Sequence, residues 1–270
     1  MTRFDDDTAV VDRGGGVYEG RIDRGWWIVR GPNGGYVAAI LLRAMTAAAG
    51  DDGRPARSLT VHYTAPPVEG AVRIATSIER AGGSLTTVSA RMEQDGKLLA
   101  LALGAFSRSR PGPTFADLGP PTVPPATSIE PMVPGPPAPV ITERFVSRLA
   151  IGRTPFTGQT STEMAETGGW LQLAEPRMVD PIVAAAYMDA WVPAIFSRTG
   201  GFVAVPTVDL TVHFRAALPL ASARADDAYL VRFRTTTAAD GFIEEDGELW
   251  SPDGVLVAQS RQLALMLAPG

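Results

Sequence analysis

Leu59-Thr60-Val61-His62-Tyr63 returns later in the chain as Leu210-Thr211-Val212-His213-Phe214, and these two phrases hold both of its histidines. Other pieces return in the same order. Gly25-Trp26 recurs as Gly169-Trp170, Val37-Ala38-Ala39 as Val183-Ala184-Ala185, and Asp95-Gly96 as Asp253-Gly254. The offsets in chain order are 144 (169 − 25), 146 (183 − 37), 151 (213 − 62) and 158 (253 − 95). A steady rise is what loop insertions in a second copy produce, whereas chance matches scatter. The chain is one fold written twice, and its function is expected where the copies differ.

The composition narrows the field. A chain of 270 residues with 45% apolar and 20% charged residues is that of a globular protein with about two domains. With no cysteine and two histidines, zinc–thiolate centres and cysteine nucleophiles are excluded, and neither a metal nor another cofactor is expected. A net charge of −5 offers no basic field for nucleic acid. The acidic stretch from Met1 to Val11 does not resemble a secretory signal, and the apolar helical run Val37 to Leu42 is interrupted by Arg43. A cytoplasmic protein without a membrane partner is expected.

Between Pro111 and Val140 lie 11 of the 23 prolines. Proline removes a backbone donor and fixes φ, so this stretch continues neither helix nor central strand. The expected organisation is a first domain over residues 1–110, a linker over 111–140 and a second domain over 141–270. Each half reads as strands, a helix (Gly35 to Ala48, Pro181 to Phe196) and then several strands, with Asp-Gly hairpin signals in each. Asn33 and Asp180 stand where N-caps belong, and Pro181 suits the first helical position. This is an α+β pattern, each helix packing on one face of an antiparallel sheet. Leu99, Leu101, Leu263 and Leu265 are expected on the outer faces, where an apolar patch would favour a homo-oligomer, most simply a dimer.

The motif Gly31-Pro32-Asn33-Gly34-Gly35-Tyr36-Val37-Ala38-Ala39, followed by Leu59-Thr60-Val61-His62-Tyr63-Thr64-Ala65-Pro66-Pro67, resembles the acyl-CoA thioesterase II-like family. The second half matches through Ala186-Tyr187-Met188-Asp189, Thr207-Val208-Asp209, and Asp253-Gly254-Val255-Leu256-Val257-Ala258 running on to Gln262. The resemblance covers roughly residues 4 to 268. It implies a double hot-dog fold, an acyl-CoA substrate, and an Asp, a Thr and a Gln that activate water against the thioester. Those three fall on Asp189, Thr207 and Gln262.

The internal alignment bears on the same positions. The local offsets set Asp189 against Arg43, Thr207 against Ala56 and Gln262 against Gly104. One copy alone holds the polar set. Asp189 is expected on the inner helix face with Ile182 and Ala185, and Gln262 in the inner row with Ala258 and Ser260. Thr207 shares a strand face with Asp209, Thr211 and His213, which points it away from the helix unless a kink after Pro206 re-aims it. Asn33, Gly34, Gly35 and Tyr36 form a helix start whose amides could receive a substrate carbonyl, and they are the candidate substrate-binding residues. His62 and His213 recur in both copies, which favours a structural role. Arg43, Arg57, Arg91, Arg198 and Arg215 are candidates for CoA phosphates. Two alternatives stand beside hydrolysis: a non-catalytic acyl-CoA binder, and a hydratase or dehydratase of acyl thioesters, which would need an Asp–His pair.

Overall fold

The computed structural model describes residues 1–50, 53–133, 135, 138–154, 163–199 and 204–267. The first half contributes β1 (Val11–Asp12), β2 (Val17–Ile22), β3 (Ala56–Tyr63), β4 (Gly70–Ala81), β5 (Leu85–Gln94) and β6 (Lys97–Ser107). The second contributes β7 (Phe145–Gly152), β8 (Ala165–Leu173), β9 (Thr207–Phe214), β10 (Tyr229–Thr235), β11 (Ala238–Ala239), β12 (Phe242–Trp250) and β13 (Leu256–Leu265). All pairings are antiparallel, in the order β1-β2-β4-β5-β6-β3-β9-β13-β12-β10-β8-β7, with β11 beside β12. From the outer edge inward, each half therefore lays down its strands in the same sequence. β3 and β9 join the halves, pairing Ser58 with His213, Thr60 with Thr211 and His62 with Asp209. The repeated phrase is the seam of the molecule.

Two helices fill the concave side. α2 (Gly34–Ala49) starts at Asn33, whose side chain accepts from the Tyr36 amide at 3.0 Å. It ends at Gly50, left-handed at φ 65°. Gly35 through Leu42 is buried without interruption, so this helix is the core of its half. α3 (Pro181–Tyr187) is capped by Asp180, which accepts from the Val183 amide at 2.9 Å. α1 (Arg3–Asp7) precedes these, and α4 (Ile195–Thr199) follows α3. The helix expected from Pro181 to Phe196 thus breaks after Tyr187. The amides of Asp189 and Ala190 bond back three residues instead of four, to Ala186 and Tyr187, which tightens and ends the turn. Pro193 then bars continuation.

α2 and α3 approach very closely. A Cβ on Gly35 would sit 2.6 Å from the Ala186 carbonyl oxygen and 3.0 Å from the Asp189 Cβ. The described residues between β6 and β7 hold two 3-10 turns, Ala126–Ser128 and Val140–Arg144. They touch both halves: Trp170 Nε1 donates to the Pro124 carbonyl at 2.9 Å and the Met132 amide to the Ser147 carbonyl at 2.7 Å, while the Ile141 amide donates to the Trp27 carbonyl at 3.2 Å. One outer-face expectation is corrected. Leu99 is buried, because a register shift between Met92 and Glu93 makes it the extra residue of a bulge. Leu101 and Leu103 do face solvent. No described helix is long and apolar enough to cross a membrane.

Candidate active site

Asp189 lies just past the end of α3, not on its inner face as the longer helix would have placed it. The break turns its carboxylate to the start of α2. There Oδ2 accepts from Asn33 Nδ2 at 2.9 Å and from the Gly35 amide at 2.9 Å. The same Asn33 amide donates to the Asp189 carbonyl at 2.6 Å. The missing side chains of Gly34 and Gly35 make the approach possible, since a Cβ on Gly34 would stand 3.0 Å from Asp189 Oδ2. Burial pushes the carboxyl up, the Gly35, Gly34 and Asn33 hydrogen bonds pull it down, and the balance is about 6. No side-chain hydrogen bond among the described residues reaches Oδ1, which can take a proton.

The helix start was expected to offer its amides to a substrate carbonyl, but the Gly35 amide holds Asp189 and the Tyr36 amide is taken by the Asn33 cap. The Tyr36 side chain is in the core, its ring stacked on Trp26 at 4.9 Å and its hydroxyl donating to the Asp7 carbonyl at 2.8 Å. A residue the sequence reading passed over stands closer. Tyr63 donates its hydroxyl to the Gly34 carbonyl at 2.8 Å, and burial and the Asp189 charge raise its pKa.

Thr207 and Gln262 are brought together. Thr207 Oγ1 donates to Gln262 Oε1 at 3.0 Å. The alternation that would have pointed Thr207 outward is overridden by a bulge. Leu263 pairs with Asp209 and Ala264 with Thr207, so Val208 is the extra residue. The parity of the strand flips there, and Thr207 joins the inner face of Gln262 and Ala264, both buried. Gln262 Nε2 in turn donates to Glu245 Oε1 at 2.7 Å, and the Ala194 amide donates to Glu245 Oε2 at 2.5 Å. Glu245 is buried, and burial, with the Asp189 and Glu244 charges adding to it, outweighs those two hydrogen bonds and lifts its carboxyl to about 7. It was not among the expected site residues. The signal was present: Ile243, Glu245 and Gly247 alternate along the buried face of β12.

The first half carries the same strand pairing without the chemistry. Leu59 pairs with Gly104 as Leu210 pairs with Gln262, and Val88 pairs with Gly104 as Glu245 pairs with Gln262. A register shift between Ala56 and Ser58 repeats the bulge, with Ala56 in the place of Thr207. Ala56, Val88 and Gly104 thus answer Thr207, Glu245 and Gln262. Met45 fills the space, its Cε 2.8 Å from where a Gly104 Cβ would be. Counted from the N-caps the helix offset is 147 (180 − 33), which sets Leu42, and not Arg43, opposite Asp189. Arg43 is committed elsewhere, to Asp5 at 3.1 Å and Thr8 at 3.0 Å. Asp5 also takes Arg177 at 2.9 Å, and Arg177 reaches the cap Asp180 at 2.7 Å. α1 therefore closes the start of α3 with an ion-pair cluster, while the start of α2 is left to Asp189.

Both histidines are exposed, on the face of β3 and β9 that turns away from the helices. Among the described residues no group of His, Asp and Glu is arranged to hold a metal ion. Two cavities, of about 40 Å³ beside Phe4 and Trp26 and about 370 Å³ along β2 and β4, do not border Asp189, Glu245 or Gln262.

Two antiparallel half-sheets joined at a seam, each with a helix on its concave side, make this a double hot-dog protein. The N-terminal domain model of the acyl-CoA thioesterases matches residues 23–108, and the C-terminal domain model matches residues 119–266. The chain belongs to the acyl-CoA thioesterase family. It is similar over its full length, and that of its counterpart, to a hot-dog protein of unknown function from Alicyclobacillus acidocaldarius, at 28% identity and a TM-score of 0.91, with 100% of both chains covered. A thioesterase II candidate from Thermobifida fusca is 28% identical with a TM-score of 0.87, over 99% of this chain and 98% of that one. An acyl-CoA thioesterase II from Mycobacterium marinum shares the fold at 19% identity and a TM-score of 0.78, over 99% of each chain. No curated protein sequence matches significantly.

Proposed function

We propose that the protein hydrolyses fatty acyl-CoA to the free acid and CoA, with Asp189 as general base. The observation that carries this is the buried carboxylate at the head of α2, whose Oδ2 accepts from Asn33 and Gly35 and whose pKa burial raises to about 6. Oδ1 takes a proton from a water that Thr207 and Gln262 help to hold. The water oxygen attacks the thioester carbon, the C–S bond breaks, and the proton on Asp189 passes to the departing CoA sulfur. A base of matched pKa contributes about 10²- to 10⁴-fold. In this reading Asn33, Gly34 and Gly35 hold the base in place, and Tyr63 is the aromatic side chain beside it.

The hydratase alternative loses support because the two histidines lie on the far face. The hydrogen bond between Thr207 and Gln262 supports hydrolysis over the non-catalytic binder. Purified protein given acyl-CoAs of several chain lengths, with a thiol reagent to trap CoA, tests the proposal. CoA release is expected. Tight acyl-CoA binding with no release at any chain length would overturn it.

A further inference from the structure

Glu245 takes no part in the steps above, yet it is buried at the centre of the polar cluster. Its two oxygens have different obligations. Oε2 faces the Ala194 amide at 2.5 Å, and a backbone N–H can only donate. Oε1 faces the Gln262 side chain at 2.7 Å, and an amide can present either its NH₂ or its oxygen. The charge on Glu245 decides which. Facing a carboxylate, Gln262 turns its NH₂ to Glu245 and its oxygen to Thr207, 3.0 Å away. Thr207 must then give its only proton to Gln262, and its lone pairs remain for a water.

We propose that Glu245 is a positioning residue: its negative charge fixes the Gln262 amide, and through it makes Thr207 an acceptor towards the hydrolytic water. The catalytic consequence rests on the acyl-CoA hydrolase reading; the amide orientation rests on geometry alone. Protonation reverses the chain. The proton sits on Oε1, because Oε2 meets an N–H, and the new O–H donates to Gln262. The Gln262 amide turns over, its NH₂ donates to Thr207, and the Thr207 proton swings to the water. A water offered a donor there loses an acceptor that would aim its oxygen at the thioester.

The charged groups bearing on Glu245 are Asp189, beyond α3, and Glu244, beside it on β12. Both oppose its ionisation, and burial opposes it most, so the reversal falls near neutral pH. Asp189 and then Glu245 therefore become ionised as the pH rises towards and through neutrality.

Glu245→Gln fixes the reversed arrangement. Its oxygen must accept from the Ala194 amide, so its NH₂ faces Gln262 at every pH. The side-chain ¹⁵N–¹H signals of Gln262, assigned by their loss in Gln262→Met, are followed from pH 5 to 9 in the resting protein. In the wild type they should move between two positions, the acid one matching Glu245→Gln, in which they stay put. In acyl-CoA turnover, kcat of Glu245→Gln should fall about 10- to 100-fold, the lower scale for acid–base positioning, with KM little changed. The acid limb of its kcat profile should need one ionisation where the wild type needs two. Wild-type Gln262 signals that do not respond to pH would overturn the proposal, and need no variant to be measured. So would an unaltered kcat and acid limb in a folded Glu245→Gln. A wild type that releases no CoA defeats the hydrolase reading instead, and the Gln262 signals still decide the orientation.

Discussion

Thr60 and Thr211 meet across the seam of the molecule, their hydroxyl oxygens 3.0 Å apart. They are the same residue of the two copies, so the pseudo-two-fold axis passes between them. Around that axis the strand pairing is symmetric down to the bulges at Arg57 and Val208. The side chains are not. Thr207, Glu245 and Gln262 answer to Ala56, Val88 and Gly104, and one helix start receives a carboxylate while α1 covers the other. Duplication supplied two equal frames, and the chemistry stands in one.

Asp189→Asn should leave the fold intact, since an amide oxygen can still accept from Gly35, and should lower kcat at least ~100-fold, the lower scale for losing a general base. His213→Gln should leave turnover within about twofold and stability within ~0.5 kcal/mol, as expected of an exposed side chain. Both are measured as CoA release per folded molecule. A dead histidine variant beside an active aspartate variant would reassign the base.

Gly35→Ala tests whether the site depends on the helix approach. The added methyl would press on the Ala186 carbonyl oxygen and the Asp189 Cβ, at 2.6 and 3.0 Å. Prising α2 from α3 should cost about 1 to 3 kcal/mol, the scale of overpacking. Turnover should fall further than the folded fraction does, because the Gly35 amide would leave Asp189. Denaturant unfolding together with kcat separates the two effects.

Much of this architecture was legible in the chain. The repeated phrase identified β3 and β9, and Asn33, Asp180 and Pro181 marked both helix starts, because those signals are local. What stayed hidden depends on pairing. The bulge at Val208 exists only against the opposing strand β13, so alternation along β9 alone pointed Thr207 outward; Leu99 was misplaced for the same reason. The break after Tyr187 brings Asp189 to Asn33 and Gly35, partners 156 and 154 residues away, which no local pattern shows. Glu245 was readable by alternation, but nothing in β12 alone tells a buried glutamate beside Gln262 from one on a solvated edge.

Thr207→Val and Thr211→Val remove the same hydroxyl from one strand. The first deprives Gln262 of its donor and should lower kcat roughly 10-fold or more, at the low end for a group that orients a reacting water. The second breaks only the seam bond to Thr60, a cross-strand contact worth about 0.2 to 1 kcal/mol, and should leave kcat unchanged. Equal kinetic effects would show that the bulge does not direct Thr207 into the site.

Asp5→Asn addresses the closed helix start. Burial opposes the Asp5 charge, but hydrogen bonds from Thr2 and Arg177 outweigh it and hold the carboxyl at about 2. Its stabilising contribution is therefore present above the ordinary carboxylate pKa and is lost as pH falls towards 2. With the carboxylate partly exposed, the substitution should cost on the order of 1 kcal/mol at pH 7. Turnover should persist, since the cluster of Asp5, Arg43, Arg177 and Asp180 sits at the start of α3. A loss of kcat without a loss of stability would mean that this helix start also takes part in the reaction.

The pH dependence of stability should run opposite to that of activity. Asp189 and Glu245 have folded values near 6 and 7, above the ordinary 3.8 and 4.5, chiefly because burial penalises the charge. Between the unfolded and folded values the native state holds more protons, so stability is greatest in acid and falls as pH rises through 6 and 7. From pH 5 to 8 the unfolding free energy should drop by on the order of 4 kcal/mol, at about 1.4 kcal/mol for each pKa unit. Over the same range kcat should climb, because the base and the group that orients Gln262 both become charged. Denaturant midpoints and initial rates across one buffer series measure the two together. In Asp189→Asn the fall in stability should shrink to the part due to Glu245, and in the double variant with Glu245→Gln it should vanish. A wild type whose stability rises between pH 5 and 8 would show that neither carboxyl is held against its charge.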